Sequence, residues 1–189
     1  MSRGIPTEYA GLRFRSRLEA QWAHFFDNIG WPWQYEPIDL DGYIPDFVLP
    51  FPAGPLLVEV KGAFYVPELV PHAEKIERSG WKHEAIIVGS SPLMVAERDY
   101  WDFPLLGWLG ERYDYPEDDE GGLVWDHGRM FRCRECGELS VFHELMSFHC
   151  RVNGCYDGDH YLGELRDDDL RALWHNSVKA MRWKPRGAA

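Results

Sequence analysis

The chain has 189 residues, 45% of them apolar and 15% aromatic, enough to bury roughly 70% of its unfolded surface around one main core with a small accessory unit. This excludes a disordered chain, and no apolar run approaches the ~18 residues of a membrane span. The net charge of -11 argues against a protein that grips duplex nucleic acid through a broad basic surface, because phosphate neutralisation is the main sequence-independent term in such binding. Residues 1–11 lack the apolar stretch of a secretory leader, so a cytoplasmic protein with no membrane partner is expected. The charge is uneven: residues 99–120 carry eight acids and one Arg, whereas Arg13, Arg15, Arg17 and the tail Lys179, Arg182, Lys184 and Arg186 are basic, leaving room for local basic surfaces.

In chain order, Ser16-x-x-Glu19 has the form of a capping box, and Leu18, Trp22, Phe25 and Ile29 recur at helical spacing until Gly30 and Pro32; a helix over 16–29 is expected. Residues 33–40 and 43–49 are β-prone and separated by Asp41-Gly42, a strong hairpin pair, and 56–61 forms a third strand after the turn at 50–55. A short helix over 71–79 follows. The wholly apolar Ala85-Ile86-Ile87-Val88 fits a strand buried on both faces. Residues 90–113 are aromatic without clean periodicity and are expected to pack over the sheet. An acidic linker over 114–122 then divides a core at 1–113 from a cysteine unit and final helix at 123–189, that helix opening on Asp167–Asp169 and carrying Leu170, Leu173, Trp174 and Met181 on one face.

In Val58-Glu59-Val60-Lys61 the strand period of two sends Glu59 and Lys61 to one face and the valines to the other. A hairpin of this length brings Asp46, on the preceding strand, beside Glu59. Two carboxylates so arranged suit a hard divalent metal such as magnesium or manganese, with Lys61 orienting water or stabilising developing charge. Taken singly, Glu-x-Lys is an ordinary surface pair and an Asp after Pro is ordinary turn chemistry; their conjunction on consecutive strands, followed by Gly62, points to a site. Glu36, His72 and Lys75 are secondary candidates, with a solvated face as the alternative for each.

Pro45-Asp46 followed by Glu59-Val60-Lys61 resembles the signature of the PD-(D/E)XK nuclease superfamily, and the order helix, three strands, helix, strand is similar to that family's core. Phe14-Arg15-Ser16-Arg17-Leu18-Glu19-Ala20-Gln21-Trp22 and Trp33-Gln34-Tyr35-Glu36-Pro37 resemble small phage and prophage members. The likeness spans 9–92, about half the chain. It implies an α/β, restriction-endonuclease-like fold with a mixed central sheet flanked by helices, metal ligation by Asp46 and Glu59, a catalytic Lys61, and a first-helix acid at Glu19, which otherwise serves as the third residue of a capping box. By analogy with restriction-type nucleases it extends to a homodimer. The Gln-x-x-x-Tyr element of the RecB-like branch is not evident after Val88.

Cys133-x2-Cys136 and Cys150-x4-Cys155, thirteen residues apart, form two ligand pairs at spacings that suit a structural four-thiolate zinc site, with disulfides or free thiols as the alternative. His149 stands near enough to replace a cysteine. Arg129, Arg132, Arg134 and Arg151 make the unit either a nucleic-acid clamp or simply a fold stabiliser. The functional expectation is a metal-dependent nuclease acting on nucleic acid, DNA first. Two other readings are a catalytically inactive nuclease-fold module that binds nucleic acid or protein, and a zinc-ribbon regulator whose N-terminal half is scaffold.

Overall fold

The computed structural model describes residues 4–40, 42–96, 102–113, 122–146, 148–155 and 162–182. The Asp41 half of the expected hairpin turn, most of the expected linker at 114–122, Lys184 and Arg186 lie outside the described residues.

The described residues are α/β, with three α-helices, a large mixed sheet and a small two-stranded one. A small hairpin, β1 (Thr7–Tyr9) and β2 (Leu12–Phe14), leads into helix α1 (Arg17–Asn28). Ser16 caps α1, its hydroxyl accepting from the Glu19 N–H, so the helix begins where the cap pattern put it. Strands β3 (Gln34–Tyr35), β4 (Phe47–Phe51) and β5 (Gly54–Val60) follow. The expected 33–40 strand is cut to two residues because Glu36 adopts φ 45° and Pro37 comes next; a left-handed residue breaks the pleat. Its N–H instead donates to the Asp46 carbonyl. The tight hairpin therefore joins β4 to β5, with Phe47 opposite Val58, while only a single bridge, Leu40 to Tyr43, marks the expected earlier turn.

Helix α2 (Val70–Arg78) crosses from β5 to the parallel strand β6 (Ala85–Val88), the connection that parallel pairing needs. Residues 105–113 do not lie over the sheet as expected: Leu105–Tyr113 is β7, a strand paired between β6 and β8 (Gly122–Cys133). Glycines at 107 and 110 hide its alternation, and at Gly107 a Cβ would come within 2.2 Å of the Ile87 carbonyl oxygen. Strands β9 (Leu139–His143) and β10 (Leu162–Gly163) both pair with β8, and helix α3 (Asp167–Ala180) closes the fold. Asp167–Asp169 sit in its first turn, where carboxylates offset the helix dipole.

The sheet runs across the expected boundary at 114–122, since β7 and β8 pair from Leu105–Arg129 to Tyr113–Gly122. One apolar cluster joins Trp22, Phe25 and Phe26 of α1 to Phe47, Val58 and Val60, and also to Met130, Phe142, Cys133 and Cys150. The opposite face holds Leu57, Ile87 and Leu105 against Leu69, Ala73 and Ile76 of the α2 region. Indole N–H groups reach across the larger cluster, from Trp22 to the Gly89 carbonyl at 2.9 Å and from Trp31 to the Leu139 carbonyl at 2.8 Å. No helix among the described residues is long and apolar enough to cross a membrane.

Buried Arg151, one residue past Cys150, pins the cysteine loop to the sheet. Its guanidinium donates to Glu84 (2.7 Å), to Glu111 and to the Val141 carbonyl (2.9 Å). Truncating one member of such a network strands buried charge, at a cost of about 3–5 kcal/mol. Arg151→Met is therefore expected to lower the melting temperature by roughly 10 °C, read by thermal denaturation; an unchanged melting temperature would remove the network from the fold's support.

Candidate active site and cysteine cluster

At the end of β5 the alternation that buries Val58 and Val60 against α1 leaves Glu59 on the Leu57 face, toward α2. Continuing the Phe47–Val58 register by one residue sets Asp46 across from Glu59. Both acids are buried, at 5% and 6% exposure. The Val60 N–H donates to Asp46 Oδ2 at 2.7 Å, which locks the carboxylate against the strand end.

Every oxygen of the pair accepts at least one hydrogen bond. Arg15 donates to Asp46 Oδ1 at 2.8 Å, the Tyr43 hydroxyl to Glu59 Oε2 at 2.8 Å, and the Lys61 ammonium to Glu59 Oε1. A carboxylate oxygen offers two lone-pair directions, so each retains capacity for an ion. Burial, and the nearby charge of Glu59, push the Asp46 carboxyl up to about 7. This is the signature of two acids forced together away from water, which a dication would relieve. Burial and the same neighbouring carboxylate raise the Tyr43 phenol too, keeping it a proton donor.

Glu19 stands apart from this pair. Its Oε1 accepts from the Ser16 hydroxyl at 2.7 Å, and its Oε2 from Tyr35 at 2.7 Å and from the Arg15 N–H at 3.1 Å. It thus reaches back to the helix start, one residue before the cap, and touches Asp46 only through its charge. Glu36 pairs with Arg15 at 2.6 Å and so meets the site through that guanidinium. Lys75 Nζ lies 4.7 Å from the centre of the Tyr43 ring, and partial burial with the charge of Lys61 holds the His72 imidazole below its ordinary range.

Sequence patterning missed Arg15 and Tyr43 as partners of the acids. Neither belongs to a periodic or spaced signal; both arrive from segments whose approach depends on the folded sheet.

Among the described residues, ligand atoms gather within 4.8 Å of one another in two groups: the four cysteines, and Asp126, His127 and Glu144. Glu19, Asp46 and Glu59 do not form so tight a set. In the second group Glu144 Oε2 already accepts from His127 Nδ1 and from fully buried Arg129, each at 3.0 Å. A guanidinium thus neutralises the carboxylate an ion would need.

The four cysteines are spaced compatibly with a metal site. Cys133 ends β8, and Gly137 (φ 79°) and Gly154 (φ 64°) let their N–H groups turn back to the carbonyls of Cys133 and Cys150, each at 2.8 Å. Cys136 and Cys150 sulfurs lie 3.9 Å apart, which matches the ~3.8 Å edge of a tetrahedron with 2.3 Å metal–sulfur bonds. Burial opposes ionisation at Cys136, yet hydrogen bonds from Asn153 and the backbone bring its thiol down to about 7. No cysteine is in a disulfide.

No family model, curated protein or solved structure matches this chain.

Proposed function

We propose that this protein is a metal-dependent nuclease with a PD-(D/E)XK-type core, hydrolysing phosphodiester bonds in DNA with magnesium or manganese. The observation that carries the reading is the buried meeting of Asp46 and Glu59 across neighbouring strands, with Lys61 on Glu59 and an Asp46 carboxyl raised to about 7. Asp46 and Glu59 would hold the ion. A divalent ion there supplies Lewis-acid polarisation of a phosphoryl oxygen. Lys61, released from Glu59, offers a proton or a fixed positive charge to the reacting oxygens. Arg15, 56% exposed and bound to Asp46, is free to turn from that carboxylate to the substrate's phosphate, and Lys75 stands over the ring of Tyr43, which bonds Glu59. Glu19 serves as a positioning residue that fixes the Arg15 backbone. Zinc is the ion we assign to the four cysteines, as a structural metal.

The test is cleavage of plasmid and single-stranded DNA by highly pure protein with magnesium or manganese. Wild type is expected to cut, and Lys61→Ala to be slower by about 100-fold or more, as for loss of a group that stabilises transition-state charge. A wild type that cuts neither DNA nor RNA, or a Lys61→Ala that cuts equally well, ends the reading.

The hydrogen bond that each acid oxygen already accepts, from Arg15, Lys61, Tyr43 or Val60, favours a second reading, a nuclease-fold binding module in which Arg15 and Lys61 supply the compensating charge an ion would. Nucleic-acid binding that persists in Asp46→Asn without cleavage by wild type would support it.

A further inference from the structure

Among the described residues, nine large apolar side chains are exposed, and five of them (Ile44, Phe64, Tyr65, Val70 and Val95) lie on the segments around Lys61 and Asp46. Of these five, Phe64 and Tyr65 are the most exposed, at 63% and 57%. They contribute little to the core. Chain length alone keeps the Phe64 Cα within about 10 Å of that of Lys61.

Their backbone is firmly held. Both N–H groups donate to Glu68 Oε2, at 3.1 and 3.0 Å, the Phe64 carbonyl accepts from Val95, and the Val66 N–H donates to the Val95 carbonyl. Tyr65 and Val95 form a parallel bridge. Two aromatic side chains are thus presented to solvent from a rigid strap that leaves the candidate catalytic lysine.

We propose that Phe64 and Tyr65 stack on unpaired bases of the DNA strand whose phosphate meets Lys61, making the enzyme selective for DNA with single-stranded nucleotides beside the cut. This rests on the nuclease reading above. An intact duplex keeps its base faces inside the stack, so exposed aromatic rings gain nothing from it. Unpaired bases offer a π-face each, and cations interleaved with aromatic rings are the arrangement that holds single strands. Lys61 and Arg15 supply cations on the two acids, and Lys75 lies over the ring of Tyr43, which bonds Glu59. The net charge of -11 fits as well: stacking replaces part of the phosphate attraction that a duplex binder draws from a wide basic surface.

The experiment measures binding of a 2-aminopurine-labelled single strand and of the same sequence as blunt duplex, without added magnesium or manganese, for wild type, Phe64→Ala, Tyr65→Ala and Phe64→Trp. Each alanine change is expected to weaken single-strand binding by about 5- to 150-fold, to abolish quenching of the label and to leave duplex binding unchanged; Phe64→Trp restores the single-strand affinity. Exposed positions leave the melting temperature unaltered, which verifies folding. Single-strand binding that is absent in wild type, unchanged in the alanine variants, or lost in parallel with duplex binding overturns the proposal. The two readings fail separately. If the aromatics govern single-strand binding but wild type cuts no polymer, the nuclease reading falls and the stacking surface stands; if wild type cuts and the alanine variants keep its preference between single strand and duplex, the stacking surface falls alone.

Discussion

Asp46→Asn is expected to melt higher than wild type while losing metal-dependent cleavage by at least about 100-fold. The two effects share one cause. Asp46 is buried beside Glu59, and its carboxyl is raised from its usual value near 3.8 to about 7. The folded state therefore holds a proton that the unfolded chain has released between about pH 4 and 7. Across that window stability falls as pH rises, and above it a buried like-charge pair costs a few kcal/mol. Asparagine removes the charge and keeps an oxygen for the Val60 N–H, so the variant gains roughly 5 °C at pH 8 and nothing at pH 4. The same titration bears on function: the magnesium or manganese requirement should tighten as pH climbs through about 7, because the ion binds the ionised carboxylate. Thermal melts of both proteins from pH 4 to 8, paired with cleavage assays, read these outcomes. A variant that melts below wild type at pH 8 would show that Asp46 is held by favourable pairing with Arg15, not strained by Glu59.

Removing metal from the four cysteines is expected to unfold the whole described chain, not a detachable module. A structural zinc site contributes on the order of 10 kcal/mol, comparable with the total stability of about 5–15 kcal/mol that a domain possesses. Cys133 is the last residue of β8, which pairs with β7, β9 and β10, and Cys133 and Cys150 belong to the apolar cluster that includes Trp22 and Phe47. Strain from separating the sulfurs thus enters the central sheet directly. A strong chelator, or Cys150→Ala, should collapse the far-UV dichroism in one transition, with one zinc released per chain on metal analysis. A protein that contains no zinc, or keeps its melting temperature in chelator, would refute the assignment.

Short-range features are legible in the sequence alone. The Ser16 cap and the spacing of Trp22 and Phe25 marked α1, the apolar run at 85–88 marked a buried strand, and period two assigned Glu59 and Lys61 to one face. The cysteine spacing likewise foretold a cluster. Each is carried by neighbours within a turn or two of chain, where backbone geometry alone sets the relation. Glu19 illustrates the limit: its position in a cap was readable, but not that Tyr35 and the Arg15 N–H would share its second oxygen.

Tertiary structure alone decided the rest. It made 105–113 a central strand, joined the cysteine loop to the core through β8 and Arg151, set Arg15 and Tyr43 on the two acids, and left Phe64 and Tyr65 in solvent. These relations join residues far apart in the chain. Their free energies arise from pairing, burial and charge compensation that exist only once the sheet has formed, so no local period or propensity encodes them.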